Sequence, residues 1–501
     1  MPALPPPENL AVALLGPNLA RHPDKTAYLC EEEVVSYQQL SDAAGRFATL
    51  LKQQGIGAGE RVMLVLPDRP LYVAAFLGTI LAGNRAVPVS TALTEDDYAY
   101  ILADSGAQLL LTVAGVPAAA GCPLPEGVHR LPANGPVCDW LADLPAAPLS
   151  VPQPSADEPA FIQYTSGSTG RPKGVPHRHR DMLVAAEQYA GQVLEIRPDD
   201  LLFSASKLFF GYGLGNSLGF PLYHGATAIL HPGKPTPDEL LQLIRQHRPT
   251  VFFSVPTIYA QIIRSCSEEQ LQLPIRLCVS AGESLPAAIF EAWQQLTGLE
   301  LLDGIGTTEL FHIFISNYPG QARAGLSGRP VPGYEIRLVD DAGAPVPSGT
   351  PGHLQVRGKS STPGYWNLPD KTAALILADG FLRTGDMCTE QDGWYCHQGR
   401  SDDMLKAGGQ WIAPQQIEDK LRTHPAVADC AVAGYRYGGL ERPAAHLILK
   451  PYVTADSTFE RELRRFLSDQ LPDYMQPVRY FFVNDLPRTA TGKVQRFKLR
   501  Q

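Results

Sequence analysis

A chain of 501 residues is too long for one ordinary hydrophobic core and implies two or more domains. Its 44% hydrophobic and 19% charged residues are those of a soluble globular protein, and a formal net charge of −9 argues against a general nucleic-acid binder. The eight cysteines are scattered without a C-x-x-C, which speaks against a disulfide framework or a zinc site.

The opening MPALPPPENLAVALLG has no basic segment before its short apolar run, and the apolar stretch from Leu71 to Gly83 is too short to cross a bilayer. No membrane association is expected. The final LRQ matches no peroxisomal or prenylation signal, so the cytoplasm is the expected location.

From residue 26 to 115, TAYLC, YQQLSDAAGRFATLLKQQG, RVMLVLP and LYVAAFLGTILAGNRAVPV alternate β-rich and helical runs. They predict β–α–β–α units and a largely parallel sheet. Residues 116–158, rich in Pro, Ala and Gly, read as a surface connection. The strand FIQY then enters YTSGSTGRPKGV, Tyr164 to Val175. Small glycines let a backbone wrap an oxyanion, while hydroxyls, amide N–H groups and the cations Arg171 and Lys173 supply partners. The stretch is not the G-x-x-x-x-G-K-[ST] loop, because Pro172 precedes Lys173 and Gly174 follows it. A flexible surface loop is the plainer alternative; the entering strand and the two cations favour a phosphate cradle.

His177 and His179 form an H-x-H flanked by arginines. Without a third ligand, that pattern is better read as structural than as a metal site. In KLFFGYGLGNSLGFPLYHGATAILH (Lys207 to His231) the glycines do not follow G-x-G-x-x-G, and a sharply bent, aromatic, pocket-lining segment explains them better.

TVFFSVP (250–256) and RLCVSAG (276–282) are strand-like, the second turning into Gly282-Glu283-Ser284. LELLDGIGTTELFHIFISN (299–317) repeats this logic and puts Glu309 past a polar turn. A carboxylate there suits a hard divalent cation; the residues alone allow equally a helix-start Glu that favours the dipole. From 324 to 400, short alternating strands between Gly/Pro turns suggest a β-barrel-like subdomain, with Asp386 and Arg400 at strand ends. GRSDDMLKAGGQWIAPQQIE (399–418) reads as a boundary, and the last hundred residues as a small separate domain. That domain ends in PRTATGKVQRFKLR, whose Thr-Gly-Lys turn can deliver one cation to an anion, although a solvated basic tail has the same composition.

YTSGSTGRPKGV resembles the phosphate-loop signature of the adenylate-forming enzymes: acyl- and aryl-CoA ligases, peptide-synthetase adenylation domains and firefly-type luciferases. GIGTTE (304–309), TGD (384–386), GRSDDMLKAGG (399–409) and PRTATGK (487–493) match further signatures of that family in order and spacing. KLFFGYGLGN and GTTELFHIFISN look most like the benzoate- and aryl-CoA ligases. The resemblance covers nearly the whole chain. It implies an α/β fold, with a large N-terminal domain over 1–400 (parallel α/β sheets plus the β-barrel-like subdomain) and a small mobile α+β lid over 401–501.

The resemblance also implies roles. Thr165, Ser166, Gly167, Ser168, Thr169, Gly170 and Lys173 would wrap the β- and γ-phosphates of ATP. Gly282, Glu283, Asp303, Gly304 and Ile305 would line the adenine slot; Ile305 stands where the family often has a stacking tyrosine, so adenine would be held by apolar contact. Thr308 would touch the α-phosphate, Glu309 would hold Mg²⁺, and Asp386 would accept the ribose hydroxyls with Arg400 nearby. Asp402 would be the hinge and Lys493 the mobile catalytic lysine, while Gly408 and Gly409 would let the pantetheine arm of coenzyme A pass. Gly211, Tyr212, Ala281, Gly306, His312 and Ile313 would form the aryl pocket. A small residue such as alanine stands at the position of Gly211 in the benzoate ligases, so the missing Cβ implies room for one small ring substituent, with Ile313 and His312 limiting the opposite edge.

The implied reaction joins an aromatic carboxylic acid to AMP with release of pyrophosphate, then transfers the acyl group to CoA. Three alternatives share the site or the fold: a stand-alone aryl-acid adenylation enzyme loading a carrier protein, a luciferase-like monooxygenase and a non-catalytic nucleotide-binding relic. A homodimer is left open.

Overall fold

The computed structural model describes residues 8–500 apart from 134, 150, 152, 166–170, 235, 266–270, 408–409, 438–439, 452, 454 and 489–493. The most apolar stretch of the sequence becomes the helix Pro70–Leu81, every residue of which is buried. Proline at its first position is pre-set for helical φ and loses no hydrogen bond there. It packs on the helix Tyr37–Gln53, which begins with a reciprocal capping box between Ser36 and Gln39. Gly78 allows the contact: a Cβ there would stand 2.5 Å from the carbonyl oxygen of Ala44. Among the described residues, no helix is long and apolar enough to cross a membrane.

Residues 1–335 and 356–382 form one compact unit, and residues 336–355 and 383–501 a second. The first unit contains two large sheets. One has the order His129–Pro132, Leu109–Thr112, Arg61–Val65, Arg85–Pro88, Pro159–Thr165, Lys173–Arg178, parallel except for its last pair. The other runs Arg329–Pro330, Ile313–Ser316, Leu301–Gly306, Leu277–Ala281, Val251–Ser254, Leu201–Ser204, Thr227–Ile229, Thr26–Cys30, Glu33–Ser36. Its six central strands are parallel and its outer pairs antiparallel. Phe203, Phe252, Tyr259 and Trp293 fill the core on this second sheet.

One strand departs from the expected local order. TAYLC pairs in parallel with Thr227–Ile229 rather than with the neighbouring RVMLV. Long-range bonds carry it across: the Tyr28 hydroxyl donates to the Ser217 carbonyl at 3.0 Å, and the Tyr37 hydroxyl to that of Ala226 at 2.7 Å. The glycine-rich stretch is helical over Gly211–Leu214 and Phe220–His224, with a wider π turn at Gly215–Gly219 between them. Gly213 permits its start, since a Cβ there would lie 2.1 Å from the Lys207 carbonyl oxygen.

The expected β-barrel-like region, most of whose strand residues fall in the second unit, takes the form of a four-stranded sheet, Glu335–Val339, Gly352–Arg357, Leu382–Gln391, Trp394–Arg400. A three-stranded sheet of Val427–Tyr437, Leu440–Leu449 and Arg479–Phe482 then packs with the helices Pro414–Arg422 and Ser457–Ser468 around one apolar core. The expected boundary at 400/401 thus lies within this second compact unit.

His177 and His179 have structural surroundings. The His177 ring stacks on Phe161 at 5.1 Å, and His179 Nδ1 accepts a 3.0 Å hydrogen bond from the Leu10 backbone N–H. Burial lowers the His179 pKa from 6.5 to about 4 against the opposing charge of Glu158. Protonation therefore favours the unfolded chain: stability that is complete above pH 6.5 is lost as pH falls toward 4. From pH 7 to pH 5 this group removes about 2 kcal/mol. In urea denaturation at those two pH values, His179→Gln should lose correspondingly less stability than the parent. Equal losses would show that the imidazole does not titrate on unfolding.

Candidate active site

The parallel strands of the nine-stranded sheet end side by side, and their exits bring distant residues together. Ala281 is registered on Gly304, and Ser280 on Asp303, so Gly282-Glu283 leaves the sheet beside 303–305. Gly282 takes φ +90°, a conformation that L side chains rarely adopt. The Glu283 carboxylate accepts the Thr257 hydroxyl at 2.8 Å, while Asp303 and Ile305 are buried.

Beyond Gly306 the chain makes a short 3₁₀ turn, Thr308–Leu310, and returns as Ile313–Ser316. A register shift between Ile305 and Gly306 puts Gly306 opposite Ile313. A Cβ on Gly306 would sit 2.8 Å from the His312 carbonyl oxygen, and one on Gly304 would sit 2.9 Å from the Ile313 side chain. Phe311 bridges the turn at φ +69°, unusual for a bulky residue.

His312 is the centre of this junction. Its ring lies 4.6 Å from that of Phe220, 5.4 Å from Tyr212 and 5.5 Å from Tyr189, and its Nε2 is 3.3 Å from the Tyr212 carbonyl oxygen. Burial pushes its pKa down to about 3, so the ring is neutral. Tyr212 in turn reaches the carbonyls of Ser254 and Val279 with its hydroxyl, at 3.4 and 3.3 Å. Gly211, Tyr212, Gly306, His312 and Ile313 are joined directly, and Ala281 through Gly304. The space implied at Gly211 is filled, however. A Cβ there would meet the Phe311 carbonyl oxygen at 2.8 Å and Gln163 Oε1 at 3.1 Å, so the missing methyl accommodates protein rather than leaving a gap.

Glu309 has a partner that the sequence did not mark. Its Oε1 accepts the Tyr365 hydroxyl at 2.6 Å, and Lys173 Nζ stands 4.3 Å from the centre of the Tyr365 ring. Lys173 and Glu309, 136 positions apart in the sequence, therefore share one side chain. Thr308, half-buried, is next to Glu309. Thr165 ends the strand Pro159–Thr165 opposite Lys173; Ser166, Gly167, Ser168, Thr169 and Gly170 lie outside the described residues.

Asp386 and Arg400 belong to the second unit and face each other across the pair Leu382–Gln391 and Trp394–Arg400. Arg400 Nη1 and His397 Nε2 each lie 3.3 Å from Asp386 Oδ1. Burial alone would raise the Asp386 pKa. The His397 hydrogen bond and the Arg400 charge outweigh burial and hold the carboxyl below its usual range. His397, three positions before Arg400, should point to the opposite face by strand alternation. The register shift between Met387 and Cys388 reverses the alternation and brings both side chains to one carboxylate. The Asp402 carbonyl accepts from Arg500, while the neighbouring Asp403 carboxylate pairs with Arg496 at 3.5 Å. Gly408, Gly409 and Lys493 lie outside the described residues.

Comparison with known proteins shows the family. Residues 17–366 match the family described as AMP-binding enzyme, and residues 416–493 its C-terminal domain. The benzoate–CoA ligase of Thauera aromatica is 41% identical, over 100% of this chain and 97% of that protein. A solved benzoate CoA ligase from Burkholderia xenovorans LB400 superposes with a TM-score of 0.89 at 40% identity, covering 98% of this chain and 100% of that one. An anthranilate CoA ligase solved with anthranoyl-AMP gives 0.90 at 38% identity, covering 99% and 97%.

The packing at His312 is testable through Gly215. A Cβ there would lie 2.4 Å from His312 Cδ2, so Gly215→Ala must displace the ring. The expected cost is about 1–3 kcal/mol, read as a lowered denaturation midpoint. An unchanged midpoint would show that the ring yields without loss.

Proposed function

Since the chain belongs to the family of AMP-binding enzymes, we propose that it is an ATP-dependent aryl-CoA ligase acting on benzoate or a small substituted benzoate. One observation carries the choice of acid: a neutral, aromatic junction of Tyr212, His312 and Ile313 lies at the exit of the strand whose following turn bears Thr308 and Glu309. Relatives named as CoA ligases over nearly their full length support coenzyme A as the thiol acceptor over a carrier protein or an oxidative reaction.

The carboxylate is a poor electrophile. Its oxygen attacks the α-phosphorus of ATP, and pyrophosphate leaves. The CoA thiolate then attacks the acyl carbonyl, and AMP leaves. In this reading Thr165, Ser166, Gly167, Ser168, Thr169, Gly170 and Lys173 hold the β- and γ-phosphates, and Thr308 the α-phosphate. Gly282, Glu283, Asp303, Gly304 and Ile305 receive adenine. Asp386, kept ionised by His397 and Arg400, accepts the ribose hydroxyls.

Glu309 is a hard oxygen donor and follows Thr308 in the chain. One protein carboxylate suits Mg²⁺, which keeps waters and takes phosphate oxygens for the rest. When bound there, the ion would neutralise phosphate charge. Tyr365 orients the Glu309 carboxylate by its 2.6 Å hydrogen bond and presents its ring to Lys173. Lys493 stabilises the charge gathering on the α-phosphate, Asp402 is the hinge for residues 403–501, and Gly408 and Gly409 admit the pantetheine arm. A homodimer, checked by light scattering, and a cytoplasmic location, checked by fractionation, complete the reading.

The decisive assay is AMP release with a panel of aromatic and aliphatic acids, with and without CoA. Pyrophosphate and AMP should appear only with aromatic acids; ADP with an acyl phosphate would end the reading. Lys493→Ala should abolish acyl-AMP formation yet largely spare transfer from supplied acyl-AMP to CoA. Asp402→Pro, which fixes φ at the hinge, should do the reverse. Equal loss of both half-reactions in both variants would rule out a hinge that separates them.

A further inference from the structure

We propose that Gln163 reads a hydrogen-bonding substituent, a hydroxyl or an amino group, on the ring of the aryl acid. The proposal rests on the aryl-CoA ligase reading above and deepens it: unsubstituted benzoate is then a secondary substrate.

Gln163 lies in the strand Pro159–Thr165, on the same face as Phe161 by strand alternation. The Phe161 ring packs 5.7 Å from that of Phe311, so this face of the six-stranded sheet looks onto the turn that carries His312. Gln163 is only 2% exposed, and neither its Oε1 nor its Nε2 has a hydrogen-bond partner among the described residues. Because both amide atoms are unmatched, exchanging the oxygen and the nitrogen changes nothing. A buried amide without partners is unfavourable, and native proteins rarely keep one without a reason.

The amide is directed at the aryl junction. A Cβ built on Gly211 would lie 3.1 Å from Gln163 Oε1, 3.8 Å from its Nε2 and 2.8 Å from the Phe311 carbonyl oxygen. Glycine at 211 therefore accommodates the end of a long amide beside Tyr212 and His312, which an alanine would press aside by a few tenths of an ångström. Positions 163 and 211 act as a pair: one lacks a side chain, and the other brings a donor and an acceptor into the place left. A methyl or a halogen gives that amide nothing. A hydroxyl or an amino group can donate to Oε1 or accept from Nε2, and a site built to hydrogen-bond a substrate group discriminates strongly against the analogue that lacks it.

The test measures kcat/KM for benzoate and for each ring isomer of hydroxybenzoate and aminobenzoate, with the full chain, Gln163→Leu and Gln163→Asn. The parent should prefer at least one hydroxy or amino acid over benzoate. Gln163→Leu should lower the ratio of that acid to benzoate by about tenfold or more, with Gln163→Asn, which withdraws the amide by one methylene, in between. An unchanged ratio in Gln163→Leu would overturn the proposal and leave an internal water as the partner of the amide. A parent that prefers benzoate to every polar isomer would overturn it without any variant, so misfolding of Gln163→Leu cannot hide the answer. Failure of every aryl acid to release pyrophosphate would instead overturn the ligase reading itself.

Discussion

The candidate acid site depends on backbone approaching backbone more closely than side chains allow. Gly211, Gly215, Gly304 and Gly306 surround the Phe311–Ile313 segment, and a Cβ on any of them would come within 3 Å of its atoms. Interiors are packed like organic crystals, so such contacts cannot be absorbed by slack. The missing methyl groups let two strands and the helical segment from Gly211 close on one imidazole. That closure dehydrates His312 and keeps it neutral. A charged ring would be a different site, and a single added methyl is enough to disturb the geometry.

Irregular backbone does the aiming in both units. The register shift at Ile305/Gly306 and the positive φ of Phe311 turn the returning strand so that His312 faces Tyr212 and Phe220. In the second unit, the shift at Met387/Cys388 places His397 and Arg400 on one face, so that Asp386 stays ionised although it is buried. A regular strand would have divided His397 and Arg400 between opposite faces. Bulges and strained residues concentrate where side chains must be re-aimed.

These irregularities also mark what the sequence could and could not tell. The parallel strands were legible as short apolar runs ending in Gly or Pro, and Glu309, Asp386 and Arg400 as polar residues at strand exits. The partner of TAYLC was not, because the strand pairs with residues about two hundred positions away. Tyr365 sits in TPGYWN, which carries no periodic or catalytic pattern, and its hydroxyl matters only through its proximity to Glu309. His397 carries no such mark, because strand alternation alone would put it on the face opposite Arg400 and only the bulge brings it to Asp386. Gly211 misled for a related reason: a glycine shows in the sequence as missing volume, but not which neighbour takes that volume.

The neutrality of the acid site has a mechanistic consequence of its own. The side chains that meet at the junction, Tyr212, His312, Ile313 and Gln163, carry no positive charge. A cation fixed beside the acid in a region of low dielectric would hold the substrate carboxylate tightly in the ground state. Binding of that kind must be undone before the oxygen can attack phosphorus, so it lowers KM without raising kcat. A site that grips the ring by packing and neutral hydrogen bonds leaves the carboxylate uncommitted. The positive charge is then best kept for the phosphates, where negative charge gathers as pyrophosphate departs. Lys173 stands over the ring of Tyr365, whose hydroxyl donates to Glu309, and in the proposed reading it serves the phosphates rather than the acid.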